Sequence, residues 1–213
     1  MPKLYYFDIY GVAESIRMAL WHAKHPYEDI RLSGEEQKKM KEEGKLPAGQ
    51  VPIWETDDGK VFNQSNAILH FIGAKAGLYG PTPAEMYWAD WAIETVNDMW
   101  KGDFYMPFFA PSATEEQITS RVASAKTFIG QIEKRLANND DKHFIAGEKI
   151  SIGDIRVFAV LCSIAFNDGL NTPAIGEGIR KHVEDHAHVK AWFDRLNSHF
   201  AEYLAQRPKP RPL

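Results

Sequence analysis

The stretch that decides the reading is Gly49-Gln50-Val51-Pro52-Ile53-Trp54-Glu55-Thr56-Asp57-Asp58-Gly59-Lys60-Val61-Phe62-Asn63-Gln64-Ser65-Asn66-Ala67. Pro52 removes a ladder donor, so it belongs at the start of a strand, and its X-Pro bond is of the kind that can be cis, which would turn the Val51 amide and carbonyl outward. Asp58-Gly59 supplies a tight turn between Ile53-Trp54-Glu55 and Lys60-Val61-Phe62. Ser65 then precedes Ile68, Leu69, Ile72 and Ala76, an apolar series at helical spacing, so it sits at an N-cap or first-turn position. Unpaired amides and the positive end of the helix dipole at such a start attract a carboxylate, with the Ser65 hydroxyl and Gln64 amide as further donors. Together these parts fit a site that grips the backbone and terminal carboxylate of an extended peptide. They also fit a plain hairpin followed by a capped helix, and the stretch alone does not choose.

Working outward, Leu4-Tyr5-Tyr6-Phe7 reads as a strand that Gly11 ends. Val12, Ala13, Ile16, Ala19, Leu20 and Ala23 then mark the buried stripe of a helix. Tyr6 falls beside the turn, and Tyr5 is expected to be the aromatic of the core. A strand over Tyr27 to Leu32 and a polar helix over Glu35 to Glu42 complete the order β-α-β-α-β-β-α. That order resembles the thioredoxin-like fold, with Pro52 where that fold carries its cis-proline. Gly77, Gly80, Pro81 and Pro83 interrupt the pattern, and beyond them the chain reads as helical. Thr82-Pro83-Ala84-Glu85, Thr114-Glu115-Glu116-Gln117 and Ser151-Ile152-Gly153-Asp154 are helix starts of capping-box type. Ile150 and Ile155 are placed as a hydrophobic staple for the last, where Ser151 and Asp154 read as structural. The expected class is α/β plus all-α: an N-terminal domain over 1–77, a linker over 78–83 and a C-terminal helical bundle over 84–213.

A chain of 213 residues buries a core without disulfides or metals. Its single cysteine, Cys162, leaves no internal disulfide and points to a reducing compartment. The N-terminus lacks the pattern of a signal peptide, and no stretch is long and apolar enough to span a bilayer. A net charge of -4 argues against nucleic acid as partner. A soluble, cytoplasmic protein is expected.

The run Tyr6-Phe7-x-x-x-Gly11-x-Ala13-Glu14-x-Ile16-Arg17, with Leu46-Pro47-x-Gly49-Gln50-Val51-Pro52 and Gln64-Ser65-x-Ala67-Ile68, resembles the N-terminal domain of a cytosolic glutathione transferase. It is most similar to the sigma-like group, and the resemblance continues through the chain. It implies a detoxifying enzyme that conjugates the glutathione thiolate to hydrophobic electrophiles, or a related glutathione-dependent isomerase or peroxidase. The co-substrate is glutathione, no metal is expected, and the assembly is a homodimer. The alternative is a non-enzymatic ligand-binding or crystallin-like protein on the same fold.

Residue by residue, the resemblance makes Tyr6 the catalytic donor. A free thiol with pKa about 8.5 is mostly protonated at neutral pH, and a hydroxyl that donates to the thiolate favours the charged form. The resemblance also implies that Val51 pairs its backbone with the cysteinyl unit beside Pro52, that Gln64 and Ser65 hold the γ-glutamyl carboxylate, and that Gln50 approaches the glycyl half. Asp98, from the other subunit, would help hold the γ-glutamyl ammonium; its other reading is a solvated helix carboxylate. Tyr10, Val12, Trp100 and Tyr105 would line the electrophile pocket, with Phe104, Phe108 and Phe109 as further aromatic candidates.

Three departures matter. Val12 stands where the sigma-like group usually carries an arginine that assists the tyrosine. The positions of the glycyl-carboxylate tryptophan and lysine fall on Lys39 and Glu43, and Glu43 has the wrong charge, leaving Lys39, Lys41 or Lys45 as substitutes. Ala48 replaces an aromatic that some classes insert into the partner subunit. Elsewhere, His182, His186 and His188 approach metal-ligand spacing but read as a polar helix face. Pro208-Lys209-Pro210-Arg211-Pro212 reads as a tail lying over the helical domain or as a polyproline segment.

Overall fold

The computed structural model describes residues 1–99, 113–140 and 143–208. Strands β1 (Lys3–Phe7), β2 (Glu28–Leu32), β3 (Ile53–Glu55) and β4 (Val61–Asn63) form one mixed sheet in the order β2-β1-β3-β4. β1 runs parallel to β2 and antiparallel to β3, which pairs antiparallel with β4. The parallel pair needs a crossover, and helix α1 (Glu14–His22) supplies it after a 3-10 turn over Gly11–Ala13. Helices α2 (Gly34–Glu42) and α3 (Ser65–Ala76) complete this part, and α3 ends on Gly77 in the left-handed conformation. The N-terminal domain is thus thioredoxin-like, and a helical domain follows it.

The described helices of that second part are α4 (Pro83–Met99), α5 (Glu115–Ala137), α6 (Ile152–Ile164), α7 (Pro173–Asp185), α8 (Ala187–His199) and α9 (Ala201–Gln206). All three sequence-read helix starts form. Thr82 Oγ1 accepts from the Glu85 amide at 3.3 Å, and complete capping boxes open α5 at Thr114 and α6 at Ser151. A third complete box, Ser33 with Glu36, opens α2. Every residue of α6 is buried, and this helix packs against α4, α1, α3 and the Gly11 turn. The approach to α3 is close: a Cβ on Gly73 would lie 2.4 Å from Ile152 Cγ2.

One expectation is corrected. Strand alternation puts Leu4 and Tyr6 on the core face, so Tyr6 and not Tyr5 is the buried aromatic; the half-buried Tyr5 donates to Glu55 at 3.0 Å. Of the C-terminal tail, Lys209, Pro210, Arg211 and Pro212 lie outside the described residues. The chain just before them reaches the N-terminal part. Tyr203 and Arg207 both donate to the buried carboxylate of Glu14, at 3.0 and 2.9 Å, and Arg207 stacks 4.1 Å from the Tyr10 ring centroid.

Candidate functional site

One open cleft of about 150 Å³ is lined by Val12, Ala48, Gln50, Val51, Pro52, Asn63, Gln64 and Ser65. It lies where the Gly11 turn, the loop entering β3 and the start of α3 converge. The sequence-predicted Gln50, Val51, Pro52, Gln64, Ser65 and Val12 are therefore brought together. The Val51-Pro52 peptide is cis. Gln37 Nε2 on α2 donates to the Gly49 carbonyl at 3.3 Å and fixes the loop just before Gln50.

The start of α3 differs in detail from the sequence reading. Gln64 is the N-cap and Ser65 the first helical residue. Gln64 has φ 70 and ψ 111, a conformation that costs a side-chain-bearing residue about 1 to 3 kcal/mol. Its side chain makes no capping bond, so the first amides of α3 have no side-chain acceptor at the cap. A strained residue and an uncapped helix start, side by side in an open cleft, suit an incoming anion.

Tyr6 lies close by on β1, 7% exposed. Its hydroxyl oxygen accepts a long 3.4 Å bond from the Val12 amide. Gly11 permits this contact: it has φ 49, and a Cβ there would lie 2.6 Å from the Tyr6 oxygen. Burial lifts the Tyr6 pKa above its ordinary value, while the Val12 amide and the charges of Arg17 and Arg156 pull it down. The net rise keeps the hydroxyl protonated at neutral pH, as a donor rather than a base.

The other predicted residues are scattered. Tyr10, expected in the electrophile pocket, is 2% exposed; it donates to the Pro208 carbonyl at 2.9 Å and is packed beneath the tail rather than lining the cleft. Asp98 is exposed near the end of α4, and its neighbour Asn97 accepts from Asn66 Nδ2 at 3.2 Å. Lys39 is exposed on α2 outside the cleft lining, whereas the Lys41 stem lies over Gly49. Glu43 is paired with Lys45 at 2.7 Å, which holds its carboxyl below the usual range. Trp100, Phe104, Tyr105, Phe108 and Phe109 lie outside the described residues.

Sequence reading missed Asn63 as a cleft residue, although it adjoins Gln64. Burial pushes the Cys162 thiol up to about 12, so that thiol is inert. Among the described residues no group of three His, Cys, Asp or Glu is placed to hold a metal ion, and no helix is long and apolar enough to cross a membrane.

Two family models match: glutathione S-transferase, N-terminal domain, over residues 12–75, and glutathione S-transferase, C-terminal domain, over residues 96–199. The chain is 31% identical to glutathione S-transferase A4 of Mus musculus over 177 residues, covering 83% of this chain and 78% of that protein. It is 33% identical to hematopoietic prostaglandin D synthase of Gallus gallus over 156 residues, 71% of this chain and 73% of that one. The solved glutathione S-transferase from Ascaris lumbricoides superposes with a TM-score of 0.82 at 26% identity, over 98% of both chains. On these matches the chain belongs to the glutathione S-transferase family, as an enzyme that takes glutathione as co-substrate in transfer or a related glutathione-dependent reaction.

Proposed function

We propose that this enzyme conjugates the glutathione thiolate to hydrophobic electrophiles, with Tyr6 donating the hydrogen bond that holds the thiolate. The observation that carries the proposal is the neutral, buried Tyr6 hydroxyl, whose oxygen already accepts from Val12 and whose proton is therefore aimed elsewhere. The peptide lies extended along the cleft. Val51 pairs its backbone with the cysteinyl unit beside Pro52, and Gln64 and Ser65 hold the γ-glutamyl carboxylate at the uncapped start of α3. Gln50 faces the glycyl half, with Lys39 or Lys41 supplying the cation. Val12 borders the electrophile. The thiol proton leaves to water, and the sulfur then forms a bond to the electrophilic carbon, expelling its leaving group as an anion such as chloride or adding to an activated double bond whose other carbon takes a proton from water.

The second site element comes from a homodimer in this reading: Asp98 of one subunit reaches the γ-glutamyl ammonium held by the other. Its exposure near the end of α4 supports that role. The sigma-like assignment rests on the Tyr6 and Gln64-Ser65 motifs, and the likeness to a prostaglandin D synthase favours an isomerase as the related activity. The division into residues 1–77 and 84–213 is supported by α3 ending at Ala76 and α4 beginning at Pro83. Cytoplasmic residence is supported by the lone, inert cysteine.

Tyr6→Phe tests the central step. Glutathione affinity should hold within about two-fold, while kcat/KM for an activated aryl chloride falls by about ten- to a thousand-fold at neutral pH. A variant with unchanged turnover, where chemistry limits the rate, would remove Tyr6 from the mechanism.

A further inference from the structure

A second pocket, of about 240 Å³, opens at the end of the N-terminal part remote from the cleft, and its lining includes Trp54 of β3 and Phe71, Ile72 and Lys75 of α3. Helix α3 joins the two places: it begins in the cleft at Ser65, and Lys75 lies roughly 15 Å further along it at 1.5 Å per residue. The apolar wall is firm, because Phe71 is backed by Phe62 at 4.8 Å between ring centroids. Trp54 is 2% exposed, and its Nε1 has no hydrogen-bond partner. Buried donors are satisfied as a rule, so an orphan on a pocket-lining side chain marks a place for an acceptor.

Charge narrows the choice of acceptor. Lys75 makes no ion pair among the described residues, and its Nζ lies 5.1 Å from the Phe71 ring centroid. Asp57, the carboxylate in the lining, is already engaged by the Met1 amino group at 2.8 Å. The lining is therefore positive on balance, and it favours an anion. Size follows from the volume. Drug-sized ligands fill about 300 to 1,000 Å³, so this pocket suits a small fused-ring molecule.

We propose that this pocket binds a small aromatic carboxylate, its rings against Trp54 and Phe71 and its carboxylate accepting from Trp54 Nε1 and pairing with Lys75. Nε1 is shut from water without the ligand, so the exposed His25 ring, 6.1 Å from the Trp54 ring, turns outward to admit it. The site stands apart from the one proposed for glutathione and does not rest on that reading.

The test titrates the full-length protein with 2-naphthoate by calorimetry, with and without saturating glutathione. Nuclear magnetic resonance follows the indole N–H signals, with Trp54→Phe identifying that of Trp54. Glutathione should change the naphthoate affinity by less than about two-fold, and the Trp54 indole proton should move downfield as it gains an acceptor. Lys75→Ala should weaken binding by about three- to five-fold, and Lys75→Glu by more. Neutral 2-naphthamide should bind the wild type more weakly and be indifferent to Lys75→Ala. These lysine changes are on the surface, and sequential assignment identifies the Trp54 signal if Trp54→Phe does not fold. Absence of binding at millimolar 2-naphthoate, competition with glutathione, or a Trp54 signal that does not move would overturn the proposal. So would a Lys75→Ala variant that loses melting temperature but keeps its naphthoate affinity, since the lysine would then serve only the end of α3.

Discussion

α3 and α6 pack against each other, yet they begin in opposite ways. Every helix start leaves amides without a partner. At α6 they are closed off from within: Asp154 accepts from the Ser151 amide and hydroxyl at 2.9 and 2.6 Å, and from the Ile145 amide and Trp192 Nε1 at 2.8 Å each. Ser151 Oγ in turn accepts from the Asp154 amide. At α3 the cap residue is strained, its side chain makes no capping bond, and the helix opens into a cleft. One start is built for folding. The other is left open at the cleft where the proposed glutathione carboxylate would bind.

Breaking the closed start should have the largest effect. Asp154→Ala leaves four buried donors without their acceptor, and an expected loss of about 3 to 5 kcal/mol lowers the melting temperature by roughly 10 °C for a chain of this size. Glutathione affinity of the folded fraction should not change. Thermal unfolding and calorimetry on the same sample check both, and a weakened affinity would erase the division of labour between the two helices. Ser65→Ala is the counterpart at the open start. Affinity should fall by roughly ten- to 150-fold, the range for one hydrogen bond to a charged group, while stability moves by less than about 0.5 kcal/mol.

How much of this was legible follows from the range of each interaction. The helix starts at Thr82, Thr114 and Ser151 were readable because their chemistry is complete within four residues, and so, to within one residue, was the hairpin turn, whose central residues are Asp57 and Asp58 with Gly59 following at φ 77. The cleft motif from Gln50 to Ser65 was readable for a similar reason, since one hairpin carries nearly all of it. Tyr5 and Tyr6 were assigned to the wrong faces with respect to burial, because alternation gives the period of a strand and not its phase. The contacts of Tyr10 and of Arg207 were not legible, because they join residues far apart in the chain. Arg207 meets Glu14 across 193 positions, and Tyr10 meets Pro208 across 198. No local pattern encodes such pairs.

A smaller effect sharpens the contrast from the side of strain. At φ 70 a glycine is unstrained, so Gln64→Gly releases part of the local cost while adding freedom to the unfolded chain, for a net gain of about 0.5 to 1 kcal/mol. The same change removes an amide donor from the cleft, and glutathione affinity should fall a few-fold. Melting temperature and affinity would then move in opposite directions. If both fall, the Gln64 conformation is supported by contacts within the folded chain and is not held there for the ligand.

The smallest expected effect concerns the far end of the peptide. Glu43 stands where the sequence resemblance leads one to expect a cation, and on sequence alone its reversal to lysine promises a clear gain. The structure reduces that promise, because Lys45 already pairs with Glu43 at 2.7 Å on an exposed surface, so the local charge is close to balanced before any ligand arrives. Glu43→Lys should therefore raise glutathione affinity by roughly three-fold at most, and salt should abolish the gain. Lys41, whose stem crosses Gly49 beside Gln50, is better placed than Lys39, so Lys41→Ala should weaken binding by a similar factor and Lys39→Ala by less. Titrating the three variants with glutathione at low and high salt orders them, and a dominant Lys39 would mean that α2 shifts toward the cleft when the peptide binds.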